Sequence, residues 1–131
     1  MGLLDDAGKA IGIDQGASEP SADRRSADEL PVKAAFLVAG FLGKLDLPDF
    51  DGINETFVCR KFDWTRIKRN AGEIFVWNGE EDPYVPLEKG QQLAQSLSVP
   101  MMLIPAGGHL NEESGYTSFP LLFEKISALL D

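Results

Sequence analysis

Residues 73–86 read EIFVWNGEEDPYVP, an apolar run that ends at a glycine and is followed by an acidic turn and a proline. A continuous apolar run of this length is typical of a strand buried on both faces, as in parallel sheets. Pro86 can open a helix at its first position, and the residues after it predict a helix to about Leu97. A buried strand, a polar turn and a helix in succession indicate an α/β domain.

Two similar apolar runs flank this stretch, KAAFLVAG at 33–40 and PMMLIP at 100–105. A short helix is predicted over 63–70, with the aspartate at its start as the N-cap, and a final helix follows a cap at Thr117 or Ser118. The order β, α, β, α, β, α predicts parallel strands with right-handed crossovers. The chain is therefore predicted to form a three-layer α/β/α domain around a short parallel sheet of about three strands.

Three further predictions concern the segments around these strands. Residues 43–55 are polar and rich in turn formers, and they predict a loop. Cys59 is the only cysteine, so no intramolecular disulfide can form, and the residues around it predict a small buried or half-buried thiol. The last predicted helix has apolar residues at helical spacing, which predicts that they pack in the core. They are Phe119, Leu122, Phe123, Ile126, Leu129 and Leu130.

A boundary is predicted near residue 30. Residues 1–29 contain few large apolar side chains and predict a flexible or partly helical segment, whereas 30–131 contain the predicted strands and helices. The chain starts with no basic region followed by an apolar run, which argues against a secretion signal. No stretch approaches the roughly 20 apolar residues of a membrane span, so we expect a cytoplasmic protein.

The overall charge restricts the partners that we expect. There are 12 Lys and Arg against 21 Asp and Glu, a formal net charge of -9. Phosphate contacts need cations, so binding to nucleic acid or to an anionic membrane is not expected. The basic residues within 60–69 are interpreted as a solvated helix face, because no aromatic stacking platform accompanies them.

Candidate chemistry lies at the ends of the second and third predicted strands. Asp82 follows the second strand, and His109, the only histidine, follows the third. The carboxyl ends of parallel strands share one edge of the sheet, which is where sites form in such domains. A carboxylate beside an imidazole fixes its tautomer and stabilises the imidazolium during proton transfer. Gly107 and Gly108 allow the sharp turn that would hold the imidazole at the surface.

Other interpretations of these residues stay open at this point. His109 could be an ordinary loop histidine, and Asp82 could be a turn-forming carboxylate before Pro83. Glu80 and Glu81 are interpreted as solvated loop acids. A magnesium site formed by the three acidic residues at 80–82 is the rival hypothesis, but no second acidic cluster follows either other strand.

The runs at 75–86 and 107–120 resemble, in order and spacing, the serine hydrolases of the YdeN and retinoblastoma-binding-protein-9 type. Supporting motifs are LVAGF at 37–41 and FDW at 62–64, and the similarity covers roughly residues 31–130. The resemblance implies that residues 30–131 are a partial α/β-hydrolase domain, the carboxyl-terminal part of that fold. It places residues 42–57 near the rim of the active site.

The resemblance also implies a Ser-Asp-His triad with esterase-like activity on a small ester or amide, without cofactor or metal. In this chain, Asp82 matches the triad acid and His109 matches the triad base. No serine lies in the G-x-S-x-G elbow that the family places before the acid. The nucleophile is therefore predicted to be absent from this chain, which is expected to be inactive alone.

Three hypotheses account for this pattern. The chain could be a truncated hydrolase or a fragment of one, or it could be one half of a split hydrolase. It could also be a non-catalytic interaction domain that binds a protein partner, or another copy of itself, at an open sheet edge.

Overall fold

The computed structural model describes residues 31–131, and the segment predicted over 1–29 lies outside them. Three parallel strands form one sheet, in which the second strand pairs with both others. The predicted short parallel sheet is therefore confirmed. In chain order the strands are β1 (Ala34–Val38), β2 (Glu73–Gly79) and β3 (Met101–Ile104).

Helices connect and follow the strands as the alternating pattern predicts. Asp63 caps the second helix, because its carboxylate accepts a hydrogen bond from the Arg66 amide at 3.0 Å. A short 3₁₀ helix, Glu112–Ser114, follows the last strand. Within residues 31–131, the α-helices are α1 (Pro48–Val58), α2 (Trp64–Asn70), α3 (Leu87–Leu97) and α4 (Pro120–Leu130).

The core lies between one face of the sheet and helices α2 and α3. Leu37 of β1 and Val76 of β2 are neighbours on this face and are both buried. Burial of a side chain of this size stabilises a fold by roughly 1.5–3 kcal/mol. The buried cluster consists of Ala35, Leu37, Ile67, Ala71, Val76, Leu93, Ala94 and Leu97.

The opposite face of the sheet is aromatic and more open. Phe36 and Phe75 stack with ring centroids 4.6 Å apart, and Trp77 packs edge-on against Phe36 at 5.7 Å. Just before α4, Phe119 contacts the Trp77 ring at 5.6 Å, and the Lys125 ammonium of α4 lies 5.2 Å from the Phe75 ring. Helix α4 therefore forms the third layer of the α/β/α arrangement.

The packing predicted for the last helix is wrong. None of the residues of α4 is buried, and Phe123 and Leu130 are 72% and 73% exposed. A sheet of three short strands does not cover the whole helix, so Phe123, Ile126 and Leu130 of the apolar stripe stay exposed. Its start also differs, since Phe119 occupies the N-cap and no side chain caps the helix.

The loop predicted over 43–55 is also wrong, because α1 begins inside it. Pro48 opens this helix, and the Asp51 carboxylate accepts hydrogen bonds from the Leu45 amide at 2.7 Å and the Leu47 amide at 3.2 Å. These local hydrogen bonds, rather than an apolar stripe, fix the start of α1. The hydrophobic periodicity of the sequence therefore did not indicate a helix here. Cys59, just past α1, is exposed and not buried as predicted.

The start of α3 and the absence of a membrane-spanning helix from the described residues complete the comparison with the sequence predictions. Pro86 is the N-cap of α3, and the helix starts one residue later than predicted. Within residues 31–131, no helix has both the length and the apolar character needed to cross a bilayer.

Candidate functional site

The site lies where β2 and β3 end, and backbone hydrogen bonds join these two strand ends. The Glu80 amide donates to the Ile104 carbonyl at 2.9 Å, and the Gly108 amide donates to the Glu80 carbonyl at 2.8 Å. The loops pass so closely that a Cβ at Gly79 would collide with the Gly108 carbonyl oxygen. Only glycine permits this approach, which brings residues 80–86 against residues 106–110.

Asp82 has a hydrogen-bond partner at each carboxylate oxygen. Its Oδ1 accepts from the Tyr84 amide at 2.8 Å and from the Val85 amide at 3.0 Å. Its Oδ2 lies 2.8 Å from Nδ1 of His109. The side chain is only 2% exposed, so the carboxylate is held by the turn and presented to the imidazole. The turn-forming interpretation and the acid-partner interpretation of Asp82 are therefore compatible.

His109 has one engaged and one available ring nitrogen. A carboxylate accepts hydrogen bonds, so this contact favours the neutral tautomer that carries its proton on Nδ1 and its lone pair on Nε2. Within residues 31–131, Nε2 has no hydrogen-bond partner. The side chain is 31% exposed. This geometry suits an imidazole that accepts a proton from an incoming hydroxyl group.

Tyr84 is a site residue that the sequence interpretation did not single out. Its ring packs edge-on against the His109 ring, with centroids 5.0 Å apart, and its hydroxyl donates to Oε2 of Glu113 at 3.3 Å. The Glu113 carboxylate raises the pKa of Tyr84. The Phe50 ring of α1 also packs near Tyr84, with the ring centroids 5.8 Å apart. These partners come from distant parts of the chain, so no local pattern could have identified them.

The remaining acidic residues of the 80–82 turn are exposed. One oxygen of the Glu80 carboxylate accepts a hydrogen bond from the Ala106 amide at 3.2 Å, which adds to the bonds between the two loops. Glu81 has a positive φ of 60° at the bend of the turn. Among the described residues, no three His, Cys, Asp or Glu side chains come together as a metal site would require.

No serine of the described part of the chain hydrogen-bonds to the His109 ring. Ser114, the nearest in sequence, binds the backbone amide of His109 at 3.1 Å and donates to Asn111 at 3.0 Å. Ser96 donates to a carbonyl within its own helix. Across the full sequence, no serine stands in a G-x-S-x-G segment.

A family model described as serine hydrolase matches residues 21–128. The chain belongs to this serine hydrolase family. The resemblance expected from the runs at 75–86 and 107–120 is thereby confirmed.

Individual relatives of this chain agree with the family match. YdeN of Bacillus subtilis, a hydrolase by name, is 29% identical over 92 residues, which are 70% of this chain and 47% of YdeN. The serine hydrolase RBBP9 of Rattus norvegicus is 26% identical over 106 residues, which are 81% of this chain and 54% of RBBP9.

The fold of this chain also has a solved counterpart. The crystal structure of the ydeN gene product of B. subtilis superposes with a TM-score of 0.68 at 26% sequence identity, covering 77% of this chain and 53% of that one. The chain thus spans about half the length of the relatives that it matches.

Proposed function

We propose that this chain contributes the acid and the base of a serine hydrolase active site that cleaves ester or amide bonds. The observation that carries the proposal is the 2.8 Å contact between Asp82 and His109 Nδ1, with Nε2 left available. Membership in the serine hydrolase family supports the same chemistry. Esterase-like activity on a small substrate, in the cytoplasm, is part of the proposal. An unpaired, exposed thiol at Cys59 fits a reducing compartment.

The proposed mechanism is acyl transfer in two stages. Nε2 of His109 accepts the proton of a nucleophilic hydroxyl as its oxygen attacks the carbonyl carbon, and Asp82 stabilises the imidazolium that results. The imidazolium returns this proton to the leaving oxygen or nitrogen as that bond breaks, which leaves an acyl-enzyme. Water then attacks with the same proton transfers, which releases the carboxylic acid and restores the hydroxyl.

In this proposal, the nucleophilic serine comes from residues outside this sequence, and residues 31–131 alone are inactive. The sequence lacks an elbow serine, and the relatives are about twice as long as the part that this chain matches. The proposed partner is a segment that corresponds to the unmatched half of these hydrolases and contains the elbow.

The proposed docking surface combines the free edge of β1 with the exposed apolar side chains of α4. Within residues 31–131, β1 pairs only with β2, so its other edge has no strand partner. Successive strands of α/β folds are commonly neighbours, so the strand that precedes β1 in the family is the natural occupant of this edge. The same partner would also bury the exposed apolar side chains of Phe123 and Leu130 in α4.

A chimera tests the proposal directly. Residues 31–131 would replace the matched part of YdeN, so that the unmatched part of YdeN supplies the elbow serine. A fluorophosphonate probe should label this chimera, and His109→Ala should abolish the labelling, whereas Ser118→Ala should not. The isolated chain should remain unlabelled. A soluble, folded chimera that takes no probe, or labelling that survives His109→Ala, would contradict the proposed function.

The exposed apolar stripe of α4 also favours a second candidate, a non-catalytic interaction domain. Side chains as exposed as Phe123 are typical of a contact surface. This candidate predicts that a bound partner is retained in full by His109→Ala and is lost with Phe123→Glu. Size-exclusion chromatography of the chain alone distinguishes self-association from binding of another protein.

A further inference from the structure

The loop that presents His109 has an unusual backbone. Among the five residues from Ala106 to Leu110, three have positive φ angles: 51° at Ala106, 55° at Gly108 and 55° at Leu110. Left-handed conformations are unfavourable for alanine and leucine, and such strain persists only where the surroundings fix the backbone. Interactions that hold this loop should therefore exist next to the imidazole.

Two polar side chains just after the histidine provide such interactions. The His109 amide donates to Oγ of Ser114 at 3.1 Å, and that hydroxyl donates to Oδ1 of Asn111 at 3.0 Å. The same Asn111 oxygen accepts from the Ser114 amide at 3.2 Å, as the N-cap of the 3₁₀ helix. The hydroxyl is both acceptor and donor, so its orientation is fixed at both ends.

Close packing against the loop allows little adjustment. The Ser114 hydroxyl lies so near Gly108 that a Cβ there would collide with it. Leu110, on the other side of the histidine, is 9% exposed and therefore cannot swing outward without losing its burial. Ser114 therefore helps to set the position of the His109 backbone through the His109 amide. The 2.8 Å contact of Nδ1 with Asp82 depends on that position.

We propose that Ser114 and Asn111 are positioning residues for His109. The relay from the His109 amide through the Ser114 hydroxyl to the Asn111 side chain fixes the strained loop, so that Nδ1 meets the Asp82 carboxylate. Neither residue touches the reacting atoms. The relevance of this relay to catalysis rests on the proposed function, but its effect on the imidazole can be measured without any turnover.

His109 is the only histidine, so NMR of the full chain reports a single imidazole. In the wild type, the Nδ1 proton should exchange slowly with water because Asp82 accepts its hydrogen bond. Ser114→Ala should accelerate this exchange about tenfold, the factor expected for loss of one hydrogen bond. Ser114→Thr retains the hydroxyl and should restore slow exchange. Ser118→Ala, a nearby serine outside the relay, is the matched control.

Asn111 provides a second, independent comparison. Asn111→Asp keeps an acceptor oxygen for the Ser114 hydroxyl and should resemble the wild type, whereas Asn111→Ala should resemble Ser114→Ala. The comparison of Asn111→Asp with Asn111→Ala tests the proposal if Ser114→Ala does not fold.

Equal exchange rates in Ser114→Ala and the wild type would overturn the proposal, as would equal acceleration in Ser118→Ala. A wild-type chain without a protected Nδ1 proton would also overturn it, because there would be no pair to position. Failure of the proposed function has a different signature. The folded chimera would not be labelled by the fluorophosphonate, but the relay variants would keep the exchange pattern described above.

Discussion

Substitution of Gly79 by alanine tests how strictly the two strand ends must approach each other. A Cβ at this position would overlap the Gly108 carbonyl oxygen and lie 2.8 Å from the Gly107 carbonyl carbon. Both contacts are with backbone, so no side chain can move aside, and the loops must separate by roughly 1 Å to relieve them. Overpacking of this kind destabilises proteins by about 1–3 kcal/mol.

The same displacement should break the candidate catalytic pair. Asp82 Oδ2 and His109 Nδ1 are 2.8 Å apart, and an added ~1 Å takes them beyond hydrogen-bond range. We therefore expect Gly79→Ala to lower the free energy of unfolding in urea by about 1–3 kcal/mol and to expose the Nδ1 proton to rapid exchange.

Gly52 provides the matched control for this substitution. It lies within α1, and a Cβ there would meet nothing within 4 Å. Gly52→Ala should therefore stabilise the chain by roughly 0.5–1 kcal/mol, as expected in a helix interior. A Gly79→Ala variant that matches the wild type in both unfolding free energy and Nδ1 exchange would refute the reasoning about the strand ends.

Three further outcomes are expected. Asp82→Asn should lower the rate of fluorophosphonate labelling of the chimera by about 10⁴-fold, because an amide NH₂ facing Nδ1 favours the tautomer that protonates Nε2; an unchanged rate would exclude Asp82 as the partner of the base. Glu113 raises the pKa of Tyr84, so the contact should stabilise the fold fully below pH 10.0 and lose this effect as the pH rises through the raised pKa. Glu113→Gln should lower the midpoint of the tyrosine titration followed by absorbance. An unchanged titration would contradict this. Phe123→Glu and Leu130→Glu should leave the unfolding free energy of the isolated chain within about 0.5 kcal/mol of the wild type, since both side chains are exposed; a larger loss in urea denaturation would show that α4 is buried after all.

The sheet and the candidate pair were predictable because each depends on a strong local signal. Strands such as β2 are continuous apolar runs bounded by turn residues, and their parallel order places the residues after each run on one edge. Asp82 and His109 follow two adjacent strands, so the topology alone brings them near each other. The 2.8 Å contact then follows from the close approach at Gly79.

The features that were missed depend on what the sequence pattern does not show. Helix α1 is fixed by Pro48 and the Asp51 carboxylate rather than by an apolar face, and only two of its residues, Asn54 and Val58, are buried. The stripe of α4 has the periodicity of a core helix, but periodicity cannot tell whether the sheet is wide enough to cover it. Contacts of Tyr84 with distant side chains are likewise visible only in three dimensions.

The tautomer of the single imidazole is the most direct test of the proposed acid–base pair. Nitrogen-15 NMR of the wild-type chain, recorded at a pH where the ring is neutral, distinguishes a proton on Nδ1 from a proton on Nε2. We predict the proton on Nδ1, bonded to Asp82, with Nε2 as the unprotonated acceptor. A ring protonated on Nε2, or one that averages freely between both forms, would contradict the assignment of His109 as a base held by Asp82.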